Sequence, residues 1–176
     1  ILEAVRGLAL LTVIVPRHPQ RFNDVANLLQ AANLSFVRRS TLTSPLAQSV
    51  QVVLGDSMGE LFSYYAACDF TFVGGSLLPF GGQNLIEPAT MGKPILIGEH
   101  TYNFAEASAN AINSGAAISV HNVSELRQQI LTLLQNSSKT ASMHKAALLF
   151  SQRSTGATAK TMALIKTHLH SSKHQP

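Results

Sequence analysis

FTFVGGSLLPFGGQNLIEP, at residues 70–88, joins an apolar run, a glycine-rich turn and the start of a helix. The run at 70–73 is apolar on both faces, as expected of a strand covered by helices on both sides. A helical pattern opens near Asn84, and Gly92 is placed to end it. A strand, a glycine turn and a helix in this order predict one unit of a parallel α/β sheet.

Four further apolar runs have the same character and lie at residues 10–15, 50–54, 94–97 and 116–120. Helical patterns separate them, at residues 24–32, 58–68 and 123–134. Strands that alternate with helices favour parallel βαβ units. We therefore predict an α/β fold with a Rossmann-like, doubly wound parallel sheet.

The length of 176 residues, 45% of them hydrophobic, is typical of one compact domain. We expect residues 1–176 to form that domain, with 135–176 as a helical extension containing helices at 143–150 and 157–169. The chain begins on a helical pattern without a capping residue before it. A segment cut from a longer protein would begin in this way.

The net charge of +4 and the pI near 9.5 favour anionic partners, which include nucleotides, phospholipid headgroups and nucleic acid. Part of this charge lies in the polar tail, which we expect to be solvated. The single cysteine, Cys68, lies in an apolar run and predicts a buried, unpaired thiol in a reducing compartment. Neither a signal peptide nor an apolar stretch of membrane-spanning length is present in the sequence.

Ligands of open α/β sheets bind beyond the carboxyl ends of the strands, so the turn after each run is informative. The first turn holds Pro16 and Arg17, and a guanidinium fixed there suits a phosphate, although a surface arginine would look the same. The second turn, at 55–61, precedes a helix whose free N–H groups favour an anion. Ser57 and Glu60 also have the spacing of a capping box, which needs no ligand.

The third turn holds four glycines between residues 74 and 82, which let a ligand approach the main chain closely. Its candidate ligand contacts are Gly75, Ser76, Gly82 and Gln83. A carboxylate at Glu87 could accept hydrogen bonds from both hydroxyls of a ribose. Asn84 and Glu87 also have capping-box spacing, but a cap does not need the glycines.

Several motifs are absent from the sequence. No Gly-x-Gly-x-x-Gly follows a strand, and Pro94 follows Gly92-Lys93, which argues against a dinucleotide cofactor and a P-loop. The histidines do not cluster with cysteines or carboxylates at zinc spacing. Ser76 has no motif-level histidine partner for a nucleophilic triad. We expect neither a cofactor nor a metal.

Five linked segments resemble the bacterial 3-deoxy-D-manno-octulosonic acid (Kdo) transferases of lipid A synthesis. They are PRHP at 16–19, GDSMGEL at 55–61, FVGGS at 72–76, GGQNLIE at 81–87 and PILIGEHTYNF at 94–104. The similarity covers residues 9–134, and several motifs at matching intervals are more specific than any one of them.

The resemblance implies the C-terminal donor-binding domain of a GT-B glycosyltransferase, which moves Kdo from CMP-Kdo to the lipid A precursor lipid IVA. It implies a parent enzyme at the cytoplasmic face of the inner membrane and gives no role to nucleic acid. In that family the membrane anchor, acceptor surface and catalytic base belong to an N-terminal domain. The resemblance therefore implies that this chain holds no catalytic residue and is inactive alone, and that CMP-Kdo binds without a metal.

Residue by residue, the resemblance assigns CMP contacts to Pro16-Arg17, Met58-Gly59-Glu60 and Asn84-Leu85-Ile86-Glu87. Within it we assign the ribose to Glu87, and the phosphate and cytidine to Arg17 with amides near Gly59 and Asn84. Gly75, Ser76, Gly82 and Gln83 are its candidate donor-loop contacts. Gln83 stands where the family usually has histidine, and its amide cannot carry a proton near neutral pH.

Two alternatives fit the same residues. A GT-B transferase or epimerase that uses a UDP-sugar would also have a glycine-rich turn and a ribose-binding glutamate. A non-catalytic module that binds a nucleotide or a phosphopeptide is the alternative from a different class.

Overall fold

The structure is a computed structural model that describes residues 2–153, 161, 162 and 165. The strands of this part of the chain are β1 (Thr12–Ile14), β2 (Phe36–Arg38), β3 (Val52–Leu54), β4 (Thr71–Val73), β5 (Ile95–Gly98) and β6 (Ala117–Val120). Its α-helices are α1 (Leu2–Val5), α2 (Phe22–Ala31), α3 (Leu61–Ala67), α4 (Ile86–Thr90), α5 (Ala105–Asn113), α6 (Val123–Gln135) and α7 (Ser137–Arg153). Short 3-10 turns cover Pro19–Arg21, Arg39–Thr41 and Tyr102–Phe104.

The chain forms two compact units. Unit 1 contains the residues up to Cys68 together with Asn122–Thr132. Unit 2 contains Asp69–His121 together with the residues from Leu133 onward. Helix α6 therefore contributes residues to both.

Unit 1 is built on a parallel sheet with the strand order β1-β3-β2. The central strand β3 is buried along its whole length, because it has a neighbour on each side and helices cover its faces. Leu29 and Ala26 of α2 pack with Val52 and Leu54 of that strand to form the core. The apolar residues of α2 recur at helical spacing, which explains why this segment forms a helix against the sheet.

Unit 2 is built on a second parallel sheet with the strand order β4-β5-β6. Ile95, Leu96 and Ile97 of the central strand are fully buried. Helices α4, α5 and α7 contribute Ala89, Ala111 and Phe150 to the same core. Gly92, at φ +67°, follows α4 as predicted, and a Cβ at this position would meet the His144 ring of α7.

The predicted strands are all present within two residues of their expected bounds, and the expected parallel pairing is confirmed. Strand β2 and helix α5 were not predicted from the sequence. Strand β2 is half-buried and ends in Arg38, and α5 is rich in alanine and asparagine, so neither has a strong hydrophobic pattern. Cys68 is half-buried rather than buried.

The structure describes two of the predicted helices over only part of their expected length. The helix expected at 58–68 begins only at Leu61, because Gly59 has φ +82° and residues 55–60 form a turn. The helix expected at 157–169 lies largely outside the described residues. The extent of the predicted domain and its helical extension stays a prediction. No helix within the described ranges combines the length and the hydropathy needed to cross a membrane.

Candidate functional site

The three strands of unit 1 end in register, with Ile14, Leu54 and Arg38 at the same level. The segments that follow them therefore meet at one edge of the sheet. Two of these segments were predicted from the sequence: exposed Arg17 follows β1 with half-buried Pro16, and exposed Met58 and Gly59 follow β3. The structure thus brings two of the three predicted CMP segments to one edge of unit 1.

The turn at 55–60, called here the β3–α3 turn, lies tightly against the end of β1. The N–H of Gly55 donates to the Ile14 carbonyl at 2.8 Å. A Cβ on Gly55 would lie 3.0 Å from Val15 Cγ2 and 3.1 Å from the Tyr64 hydroxyl. Glycine is needed here because a side chain would push the turn away from the strand and the tyrosine ring.

Asp56 holds the β3–α3 turn to the segment after β2. Its side chain is 3% exposed. The N–H of Ser40 donates to Oδ1 at 2.9 Å, and the Ser40 hydroxyl donates to Oδ2 at 2.8 Å, with Arg38 Nη1 3.3 Å from the same oxygen. Burial alone would raise the pKa of Asp56, but these hydrogen bonds outweigh it and lower the pKa below its ordinary value. The carboxylate is therefore held ionised.

Glu60 is the second carboxylate of the β3–α3 turn. Its Oε1 accepts a hydrogen bond from Arg39 Nη2 at 2.7 Å, and its Oε2 accepts one from the Ser57 hydroxyl. The bond from Ser57, with the charge of Arg39, lowers the pKa of Glu60. The two predicted capping residues thus contact each other by their side chains, and α3 has no side-chain cap. The capping-box interpretation is wrong for this turn.

The third segment of this edge, Arg38 to Ser40, was not predicted from the sequence. Its signal was present, because two arginines directly follow the apolar pair Phe36-Val37. The apolar part of the preceding strand is only Phe36-Val37, so no strand was predicted there and the turn after it was not considered.

In unit 2, the glycine-rich loop after β4 is fixed to the end of β5 by a buried serine. Ser76 is fully buried, and its hydroxyl donates to the Val73 carbonyl at 2.6 Å and accepts from the Gly98 N–H at 2.8 Å. The N–H of His100 donates to the Ser76 carbonyl at 2.9 Å. This residue, a candidate ligand contact in the sequence, lies inside the protein and fixes the loop.

The same loop then folds back on itself and onto the segment after β5. The N–H of Gly82 donates to the Gly75 carbonyl at 2.9 Å, and that of Asn103 donates to the Gly81 carbonyl at 3.1 Å. Gly81 has φ +85°, and a Cβ there would overlap the Asn103 side chain. Gly81 is therefore required for close packing against Asn103, and Gly82, at φ +74°, is buried.

Asn84 and Glu87 come together at the start of α4. Asn84 Nδ2 donates to Glu87 Oε1 at 3.1 Å, while Asn84 Oδ1 accepts from the Ile86 N–H at 2.9 Å. A capping box would instead have each side chain bonded to the other residue's main-chain N–H, so this interpretation is wrong here too. Glu87 is half-buried, and its Oε1 accepts the hydrogen bond from Asn84.

The other predicted residues of this segment divide by burial. Leu85 is fully buried and belongs to the core of unit 2, so its side chain supports the start of α4. Ile86 and Gln83 are half-buried, and Gln83 Nε2 would lie 3.5 Å from a Cβ on Gly75. Unit 2 thus brings Gly75, Gln83 and the segment at 84–87 into one loop. Among the described residues, no three histidines, cysteines or carboxylates are placed to hold a metal ion.

No family model matches the chain. It is 40% identical over 159 residues to the 3-deoxy-D-manno-octulosonic acid transferase of Bordetella pertussis, covering 90% of the chain and 37% of that protein. It is 37% identical over 161 residues to the Haemophilus influenzae protein of the same name, covering 91% of the chain and 38% of that protein. The chain therefore spans less than two fifths of the length of these relatives.

One solved structure is similar to the chain over most of the length of both. The crystal structure of the C-terminal CMP-Kdo binding domain of WaaA from Acinetobacter baumannii is 34% identical to the chain, with a TM-score of 0.81. The match covers 86% of the chain and 81% of that domain. The predicted donor-domain fold of a GT-B glycosyltransferase is thus confirmed.

Proposed function

Since the chain belongs to the 3-deoxy-D-manno-octulosonic acid (Kdo) transferase family, we propose that it is the part of such an enzyme that holds the donor, CMP-Kdo. The observation that carries this proposal is its similarity, at 34% identity and a TM-score of 0.81, to a domain named for CMP-Kdo binding. Within the parent enzyme we propose transfer of Kdo to the lipid A precursor lipid IVA at the cytoplasmic face of the inner membrane.

In unit 1 we assign the donor phosphate and cytidine to Pro16, Arg17 and the segment Met58-Gly59-Glu60. Arg17 is exposed directly after β1, where a planar guanidinium can meet a phosphate. Gly59 is exposed, so a ligand can approach its main chain. The carboxylate of Glu60 already accepts hydrogen bonds on both oxygens, so its role is to hold the turn.

In unit 2 we assign the ribose hydroxyls to Glu87. We assign further contacts with the nucleotide to Asn84, Ile86 and the main chain at Leu85. The hydrogen bond from Asn84 orients the Glu87 carboxylate through Oε1 and leaves Oε2 outside that contact. Gly75, Gly82 and Gln83 shape the donor loop, and Ser76 fixes it from inside.

The chemistry of the transfer requires the bond between the Kdo anomeric carbon and the CMP phosphate to break as the acceptor hydroxyl attacks. The phosphate keeps the electron pair of that bond, so negative charge grows on CMP. An arginine and main-chain amides can stabilise this charge as preorganised donors. We propose that this is how the chain acts on its donor without a metal or cofactor, while the base that deprotonates the acceptor lies in another part of the enzyme.

Nucleotide titration tests the donor assignment. We expect the chain to bind CMP more tightly than UMP, UDP or NAD by calorimetry, and CMP affinity to be unchanged in EDTA because arginine and amides meet the phosphate. Preference for UDP would indicate a different nucleotide-sugar enzyme. Failure to bind any nucleotide would indicate a non-catalytic module, and a large loss of affinity in EDTA would reveal a metal.

The 176-residue chain should have no transferase activity by itself. The reason is that the proposed site holds donor-binding groups, whereas the general base is assigned to another part of the enzyme. The assay mixes the chain with CMP-Kdo and lipid IVA and follows release of CMP and formation of Kdo-lipid. A full-length relative serves as the positive control, and reproducible turnover by the pure chain would disprove this division of roles.

A further inference from the structure

Two neighbouring arginines of unit 1 bind the two carboxylates of the β3–α3 turn, but the two pairs differ in burial. In the pair of Arg38 and Asp56, the carboxylate side chain is 3% exposed. In the pair of Arg39 and Glu60, the side chains are 41% and 31% exposed. Since burial decides how much a charge pair matters for folding, the two pairs should serve different purposes.

The buried pair anchors the turn. Asp56 is bonded by the main chain and the hydroxyl of Ser40, and Arg38 Nη2 also donates to Asn23 Oδ1 of α2 at 2.8 Å. These contacts tie the turn, the segment after β2 and α2 together. Loss of Arg38 would leave a buried carboxylate without its cation, which destabilises a fold.

The partly exposed pair of Arg39 and Glu60 lies at the predicted CMP segment Met58-Gly59-Glu60. Glu60 directly follows Met58 and Gly59, both exposed, and its main-chain carbonyl accepts the first hydrogen bonds of α3 from Ser63 and Tyr64. Fixing this residue therefore fixes the exposed pair before it. Arg39 supplies one of the two side-chain bonds that do so, at 2.7 Å, and Ser57 supplies the other from within the turn.

The contacts of Ser57 extend this network to the end of β1. Its hydroxyl lies 3.4 Å from the Tyr64 hydroxyl, and a Cβ on Gly55 would lie 3.1 Å from that tyrosine hydroxyl and 3.2 Å from its Cε2. Val15 Cγ2, directly before Pro16-Arg17, would lie 3.0 Å from the same Cβ, and the Gly55 N–H donates to the Ile14 carbonyl at 2.8 Å. The network that holds Glu60 therefore packs against the end of β1, which leads into Pro16-Arg17.

We propose that Arg39 is a positioning residue for the donor nucleotide: through Glu60 it sets the Met58-Gly59-Glu60 segment in its binding conformation. Arg38, in contrast, serves the fold alone. This inference rests on the proposed CMP-binding function. It assigns a role to a residue outside every motif that identified the family.

The test compares Arg39→Gln with Arg38→Gln. Arg21→Gln is a matched control, because Arg21, just before α2, forms an exposed ion pair with Asp24 at 3.0 Å. We expect Arg39→Gln to weaken CMP binding about fivefold or more, the size of effect usual for residues coupled in one hydrogen-bond network. Its melting temperature should be nearly unchanged, because an exposed ion pair adds little to stability. Arg39→Lys should restore much of the affinity. Arg38→Gln should lower the melting temperature, and Arg21→Gln should change neither.

A double-mutant cycle separates positioning from direct contact with the ligand. If Arg39 acts through Glu60, Arg39→Gln in a Glu60→Gln background should cost little further CMP affinity. Additive losses would mean that Arg39 contacts the nucleotide itself and would overturn the proposal. Parent-like affinity of Arg39→Gln, or a fall in melting temperature equal to that of Arg38→Gln, would also overturn it. If the parent chain binds no CMP, the proposed function itself fails.

Discussion

Glu87→Gln should reduce the affinity of the chain for CMP at least about 10-fold, because charge-assisted hydrogen bonds of roughly 1.5 to 3 kcal/mol each are lost from the ribose hydroxyls. Glutamine keeps the size of the side chain and an oxygen that can still accept the bond from Asn84 Nδ2. The melting temperature should therefore stay close to that of the parent. Calorimetric titration of CMP and thermal unfolding of the same samples provide the measurement.

The 2′-deoxy analogue of CMP gives an internal check. Since it lacks one of the two hydroxyls assigned to Glu87, the substitution should cost it less affinity than it costs CMP. Glu106→Gln is a matched control, because Glu106 is also an acidic residue in the first turn of a helix, in α5, and is exposed. If Glu87→Gln binds CMP as tightly as the parent, the ribose assignment is wrong and the residue has a structural role.

Gly98→Ala should destabilise the protein by about 3 kcal/mol or more, the upper range of the cost of forcing atoms into a packed interior. A Cβ on Gly98 would overlap the main-chain carbonyl of Ser76, which cannot move without breaking the loop. It would also disturb the bond from the Gly98 N–H to the Ser76 hydroxyl. We expect the melting temperature to fall by roughly 6–12 °C, given the usual 2–4 °C per kcal/mol for chains of this size.

Gly74→Ala is the control for that substitution. Gly74 lies in the same loop, has no positive φ and has nothing within 4 Å of an added Cβ. Its alanine variant should unfold within a few degrees of the parent, as surface substitutions usually do. Equal melting temperatures for the Gly98 variant and the parent would show that the loop is free to move away from β5, and that Ser76 does not fix it.

The strands were predictable because each of the five recognised strands lies in a run of mostly apolar residues. Ile95, Leu96 and Ile97 are all fully buried, so apolar residues are found on both faces of this strand and the sequence shows an uninterrupted apolar stretch there. Strand β2 has no such signal, because only two apolar residues, Phe36 and Val37, precede its charged last residue, Arg38. The segment after it, with Arg39, was missed for that reason.

The candidate site was predictable in position but not in detail. The rule that ligands bind at the carboxyl ends of parallel strands located Arg17, the β3–α3 turn and the glycine-rich loop. Spacing alone could not tell a capping box from the side-chain contacts observed, since Ser57 and Glu60 lie three residues apart in either case. Nor could it show that Ser76 is buried, because that depends on the neighbouring strand β5.

Helix α6 has a consequence for how the chain folds. Its first part completes unit 1, where Arg127 Nη1 donates to the carbonyls of Ala4 at 3.1 Å and Arg6 at 2.8 Å, while its last residues belong to unit 2. These contacts close a loop of more than a hundred residues, which is entropically costly and slow to form. During synthesis, neither unit is complete until this helix has left the ribosome. The residues up to Cys68 therefore cannot reach all the native contacts of unit 1 before α6 has been made, although the N-terminal part of a chain usually folds first.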